Sequence, residues 1–288
     1  MPVEQIKDRI TLKHPDGASA EILFYGATVV SWKARDNTSS TPSERLFVSG
    51  KAALNGSKPV RGGIPVVFPC FGPPEHPDHA RLSQHGFARN EVWNFEKIVM
   101  DNDAGVSVRL NLLPRPSIAA VYDKPFELAF VVTLSEHQLS TDLHVANPSR
   151  TSALEFQALL HTYIRAPAQE VLIQPLSGRR YVDKVDNAAI KEENRGAVDV
   201  RHFTDSVYEE VPDKIIVSWP NGGLVVKKTN FPNVTIWNPG AEAGSRIGDM
   251  EPGGWERFVC VEPGFVRGFK QLSPGETWIG QQVLSLNE

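Results

Sequence analysis

The chain has 288 residues, 41% of them hydrophobic, and a formal net charge of −4. That composition supports a packed core rather than disorder, and the charge argues against nucleic acid, which usually requires a basic face. No apolar run reaches the roughly 18 residues that suggest a membrane span. The start MPVEQIKDRI lacks a signal-peptide core, and two cysteines, Cys70 and Cys260, make no disulfide framework, so a cytoplasmic protein with free thiols is expected.

In chain order, residues 19–33, SAEILFYGATVVSWK, predict two short strands broken at Tyr25-Gly26. Residues 36–44, DNTSSTPSE, read as a polar surface loop. KPVRGGIPVVFPCFGPP, residues 58–74, is too rich in proline and glycine for a regular element, and Gly62-Gly63 would let backbone amides approach a ligand closely. EHPDHARL continues as loop, and QHGFARNEVWNFEKI passes into a strand near Val92.

Further strands are predicted at 105–113, 126–135, 138–146 and 155–165, then near 198–202, 207–211, 214–219, 223–229, 233–237, 256–262, 266–271 and 277–285. Within 155–165, EFQALLHTYIR, odd positions set Glu155, Gln157, His161, Tyr163 and Arg165 on one face. Even positions set Phe156, Ala158, Leu160 and Ile164 on the other, so the stretch reads as a half-buried strand with a polar, ring-bearing face. Long helical periodicity is absent, as are a compositional linker and repeats at solenoid or propeller periods. The fold class expected is all-β, a large antiparallel sandwich formed by residues 1–288 as one domain.

Four places could carry chemistry, each with a plainer reading beside it. Arg61 next to paired glycines offers a guanidinium fork for phosphate or carboxylate, or is an incidental turn arginine. Gln84-His85-Gly86-Phe87-Ala88-Arg89 packs an amide, an imidazole and a guanidinium into one loop, or simply leads into a strand. Glu262 ends an apolar strand immediately before Pro263-Gly264, either a tuned carboxylate or a cap for turn amides. Asp205 stands just before a strand, a sugar-hydroxyl acceptor or a common turn residue. His76 and His79 lie close together, but their loop lacks cysteine partners and a regular scaffold. Nucleotide fingerprints and a nucleophile elbow are missing, so no cofactor and no metal are called for.

The ordered segments KPVRGGIPVVFP, QHGFARN, HTYIR, SGRRYVDK, FTDSVY, WNP and VCVEPG, taken together, resemble the hexose-6-phosphate mutarotases. These are the glucose-6-phosphate 1-epimerases of the aldose-1-epimerase superfamily, and the match runs from about Leu12 to about Leu284. The resemblance implies a galactose-mutarotase-like supersandwich, a site on a concave face, and interconversion of the α and β anomers of a phosphorylated aldohexose. By motif it implies His161 as catalytic acid, Glu262 as catalytic base, and Arg61, Gln84, Arg89 and Asp205 as substrate ligands. His85 and Tyr163 fall in matching motifs without an assigned role, and the segments 36–44 and 75–81 carry no residue the chemistry needs. The expected partner is a small hexose 6-phosphate bound by a monomer. A sandwich that kept sugar-phosphate binding and lost catalysis is the competing class, and a glycoside hydrolase or lyase is a third.

Overall fold

Alternation of apolar and polar side chains builds three antiparallel sheets. The computed structural model describes residues 2–36 and 41–286, so 37–40 of the expected polar loop lie outside the described residues. The first sheet runs in chain order through Val3–Ile6, Arg9–Lys13, Ser19–Leu23, Val29–Ala34 and Ser43–Glu44. The second has the order Leu172–Gln174, Lys214–Trp219, Gly222–Thr229, Thr277–Leu286, Gln138–Ala146, Glu127–Leu134, Gly105–Leu112 and Asn94–Asn102. The third, called here the site sheet, has the order Ala189–Glu192, Arg180–Asp183, Thr204–Tyr208, Asn233–Asn238, Phe258–Leu272, Leu154–Leu160 and Val66–Val67, with Tyr163–Arg165 also paired to Phe258–Leu272.

The main core takes one face of most of the strands. From the site sheet it receives Phe156, Ala158, Leu160, Ile164, Val234, Ile236, Val259 and Val261, and from the second sheet Phe130, Val132, Leu143, Val145 and Leu284. The intervening residues of the site sheet face away from this core, where Tyr163, Phe258 and Cys260 join a separate cluster with Phe47 and Met250. The odd–even reading of 155–165 therefore describes the side chains correctly. The polar face is covered by other chain segments: Gln157 accepts the Phe71 N–H at 2.9 Å and donates to the Val266 carbonyl at 3.0 Å. Thr162, on the core side where the strand breaks, donates to Gln282 of the second sheet at 2.8 Å.

Several expectations are corrected. The segment 198–202 makes only a bridge from Val198 to Ile173, because the Asp199 carboxylate accepts the Arg201 N–H and turns the chain. The strand expected at 207–211 is Thr204–Tyr208, with Glu210 in the left-handed region at φ 50° ending it. Asp205 is thus inside a strand rather than before one. Segments 256–262 and 266–271 form one strand, Phe258–Leu272, in which Pro263 and Gly264 pair with Val234 and Asn233 instead of turning. Gly264 permits this because Leu159 packs 3.0 Å from where its Cβ would lie. Unforeseen were the strands Val3–Ile6, Arg9–Lys13, Leu172–Gln174, Arg180–Asp183 and Ala189–Glu192, the two-residue strands Ser43–Glu44 and Val66–Val67 inside segments expected to be irregular, and the short helices Pro116–Ala119 and Gly240–Ser245. Among the described residues, no helix is long and apolar enough to cross a membrane.

Candidate active site

Register across the site sheet assembles the site. Residues facing each other in antiparallel strands share a face. Lys184, whose N–H donates to the Asp205 carbonyl, begins a row that continues through Asp205, Trp237, Cys260 and Tyr163. A parallel row runs through Val182, Val207, Thr235 and Glu262. His161 enters from the end of the strand Leu154–Leu160, with its backbone N–H on the Pro65 carbonyl. Lys184, Asp205 and Trp237 of the first row and Thr235 and Glu262 of the second surround, with His161, a cavity of about 170 Å³, lined in addition by Arg61, Phe71, Gln84, His85 and Arg89. All six residues singled out in the sequence, Arg61, Gln84, Arg89, His161, Asp205 and Glu262, border this one cavity.

His161 and Glu262 meet in its wall. The imidazole Nδ1 lies 3.2 Å from Oε1 of a carboxyl that is 1% exposed. The separation suits a hydrogen bond but the alignment does not, and both His161 Nδ1 and Glu262 Oε2 remain buried without a partner. The His161 ring stacks on Tyr163 with centroids 4.8 Å apart and planes 9° from parallel, and it meets Trp237 and His85 edge-on. Burial, reinforced by His85 and the two arginines, holds the His161 imidazole well below its ordinary value. Burial, reinforced by Asp205, pushes the Glu262 carboxyl well above its own, while Lys184 and Arg89 oppose that shift.

Cations surround the pair. Arg61 donates from Nη1 to the Tyr163 hydroxyl at 3.3 Å and from Nε to Asp249 at 3.0 Å, and both oxygens stabilise its charge against burial. Arg89 donates to the Gln84 carbonyl at 3.0 Å, keeps a buried Nε without a partner, and is held lower than usual by its burial. Lys184 Nζ sits 3.4 Å from Asp205 and 4.8 Å from the centroid of the Phe71 ring. Burial raises the Asp205 carboxyl, and Lys184 counters it. Guanidinium groups with unused donors lining a cavity are matched to phosphate or carboxylate oxygens.

The paired glycines behave differently from expectation. A Cβ at Gly62 would lie 2.4 Å from the Phe47 carbonyl oxygen, and one at Gly63 would lie 2.2 Å from that of Val29. The Gly63 N–H already donates to Phe47, so these glycines let neighbouring backbone pack and so place Arg61. Residues 75–81 do not line the cavity, while the loop 73–84 to which they belong is closed beside it. At its neck Gly72 and His85 exchange hydrogen bonds, the Gly72 N–H donating to His85 Nδ1 at 3.2 Å and the His85 N–H to the Gly72 carbonyl at 2.9 Å. That closure sets Phe71, Gln84 and His85 against the cavity.

Sequence reasoning gave no role to Lys184, Trp237, Thr235, Phe71 or Asp249. Lys184 and Trp237 stand in the quoted segments SGRRYVDK and WNP, so their positions were visible though their direction was not. Asp249 carried no local signal.

The family model described as Aldose 1-epimerase matches residues 8–285. A Cenchrus ciliaris protein named "Putative glucose-6-phosphate 1-epimerase" is 30% identical, the alignment covering 96% of this chain and 84% of that one. An Escherichia coli K12 protein of the same name is 29% identical, over 90% and 83%. The fold also matches the crystal structure of a Salmonella typhimurium "putative mutarotase", with a TM-score of 0.87, 24% identity and coverage of 99% and 93%. It matches a galactose 1-epimerase from Lactobacillus acidophilus with a TM-score of 0.72, 17% identity and coverage of 99% and 97%.

Proposed function

Since this chain belongs to the aldose 1-epimerase family, we propose that the sugars whose anomers it interconverts are hexose 6-phosphates, chiefly glucose 6-phosphate. His161 is the acid and Glu262 the base. The carrying observation is the contact between a buried imidazole and a buried carboxyl, both with unused polar atoms, in a cavity bordered by Arg61, Arg89 and Lys184.

Opening the pyranose requires a base on the anomeric hydroxyl and an acid on the ring oxygen. Both oxygens are borne by one carbon, so acid and base must stand close together, as His161 and Glu262 do. Glu262 takes the hydroxyl proton while imidazolium delivers one to the ring oxygen, giving the open aldehyde. Rotation about the bond to C2 presents the other carbonyl face, and closure reverses both transfers. Over the cycle the pair returns to its starting state with no covalent intermediate. Burial of each group favours neutral imidazole beside neutral carboxyl, so the pair holds one proton and titrates as a unit, and the imidazolium–carboxylate form that reacts arises by moving that proton from Glu262 to His161. Each positioned group of this kind contributes about 10² to 10⁴ in rate.

Arg61 and Arg89 give the cavity its preference for a dianionic substrate. Asp205 and Gln84 are the hydroxyl-directed groups, with Asp205 exchanging its contact with Lys184 for the sugar. Two-dimensional exchange NMR on α- and β-glucose 6-phosphate, with free glucose in parallel, tests the reading. Strong acceleration of the phosphorylated sugar and a much weaker effect on glucose are expected. Equal acceleration of both removes the phosphate assignment, and binding without acceleration removes the catalytic one.

A further inference from the structure

Cys260 has no part in the proton transfers, yet it lies beside the groups that do. One donor atom each from His161, Cys260 and Glu262 lies within 4.8 Å of the others, and all three residues are buried. The strand Phe258–Leu272 produces this placement. Cys260 and Glu262 are two residues apart and project to the same face, opposite the core-facing Val259 and Val261. Tyr163 is directly across from Cys260, which brings His161 alongside.

We propose that His161, Cys260 and Glu262 form an inhibitory binding site for a thiophilic divalent cation such as Zn²⁺, with water as the fourth ligand. Imidazole, thiolate and carboxylate are the donor types that Zn²⁺ takes. Bond lengths of about 2.0–2.1 Å to nitrogen and oxygen in a tetrahedral centre place those two donors about 3.3 Å apart. The separation between Nδ1 and Oε1 is 3.2 Å. A sulfur at about 2.3 Å from the metal should stand about 3.6 Å from each other donor. The cluster limit of 4.8 Å therefore leaves at most about 1.2 Å of closure for Cys260.

Two further features support a cation here. His161 Nδ1 and Glu262 Oε2 are buried without hydrogen-bond partners, so a metal held by the Nε2–H tautomer of His161 and by either carboxylate oxygen breaks no hydrogen bond at those atoms. A dication balanced by a thiolate and a carboxylate is neutral overall, so the field of Arg61, Arg89 and Lys184 does not expel it. Occupancy would engage both members of the acid–base pair and stop turnover. Cys260 would hold the metal without touching the sugar. The ligand set stands whether or not the substrate is phosphorylated.

Co²⁺ titration of the full chain followed by absorption tests the site, with Zn²⁺ inhibition measured alongside. Wild type is expected to show the near-ultraviolet band of a thiolate–cobalt bond together with intense visible bands of a tetrahedral ion. Cys260→Ala should lose the near-ultraviolet band, bind more weakly by at least the roughly 10- to 100-fold typical of losing an outer-shell partner, and keep its anomerisation rate while becoming resistant to Zn²⁺. Cys260→Ser serves as the second variant if the alanine protein does not fold. Weak octahedral cobalt bands in wild type, or undiminished Zn²⁺ inhibition in a folded Cys260 variant, would overturn the assignment.

Discussion

Two buried histidines, His161 and His79, share the same physical signature and differ in everything that chemistry requires. His79 is fully buried, neither ring nitrogen makes a well-formed hydrogen bond, and burial, weakly opposed by the Glu155 backbone, lowers its imidazole to about 4. His161 is buried, lacks a partner at Nδ1 and is likewise pushed down by burial. His79, however, is packed among the rings of His76, Tyr122 and Phe269. It does not line the site cavity. His161 touches a buried carboxyl and opens on that cavity. A perturbed imidazole therefore marks burial first, and a functional role only when a proton partner and room for a substrate accompany it.

The largest effect that can break this comparison is on rate. His161→Ala and Glu262→Gln should each lower kcat for glucose 6-phosphate anomerisation by about 10² to 10⁴, with the protein folded and phosphosugar binding retained. Exchange NMR under saturating substrate measures it. A kcat within a few-fold of wild type in either variant would remove that residue from the proton transfers, and in His161→Ala it would make His161 as inert as His79.

Next comes selectivity. Arg89→Ala should raise KM for glucose 6-phosphate about 10- to 100-fold, the range of a charge-assisted hydrogen bond, and leave free glucose nearly unaffected. Arg61→Ala should do the same and also lower kcat for both sugars, because Arg61 holds the Tyr163 hydroxyl on whose ring His161 stacks. Parallel losses on the two sugars from Arg89→Ala would show that the guanidinium does not read the phosphate.

How much of this arrangement the chain reveals beforehand depends on which distances are local. The odd–even pattern of 155–165 is local, and as observed it separates Tyr163, with His161 stacked on its ring, from the core-facing Leu160 and Ile164. Arg61, Gln84, Arg89, Asp205 and Glu262 were found through segments whose order, rather than any one motif, is distinctive. Lys184 and Trp237 were not, because they reach the cavity through register with Asp205 and Cys260, and cross-strand register is not written in one strand's pattern. Pro263-Gly264 misled for a related reason. The pair is a turn signal in isolation, yet the space taken by Leu159 against Gly264 makes it strand. The short strands Arg180–Asp183 and Ala189–Glu192 are too brief and too exposed to show an apolar period.

A smaller effect separates the two sites by pH. Glu262 has a folded-state value raised above that of the unfolded chain, chiefly by burial. Such a group supports folding fully below the unfolded value and loses that contribution as pH rises toward the folded one. Glu262→Gln removes the loss, so its melting temperature should match wild type near pH 4 and exceed it increasingly toward neutrality. Calorimetry at several pH values measures this, and a Gln variant that is less stable than wild type at pH 7 would mean the carboxylate is stabilised by its cations more than burial penalises it.

The smallest effect belongs to His79. Its two unpartnered nitrogens and the unpartnered Tyr122 hydroxyl lie among aromatic rings. A buried polar group without a hydrogen bond costs about 1–3 kcal/mol, so His79→Phe, which keeps a ring and discards the nitrogens, should raise the melting temperature by about 2 °C or more. The rate of anomerisation should stay unchanged, since the Gly72–His85 neck that sets the cavity residues does not involve this ring. Thermal melts and exchange NMR on the same sample read both quantities. A loss of stability would mean that the imidazole and Tyr122 share a buried water, and a loss of rate would mean that the loop body reaches the cavity through more than its neck.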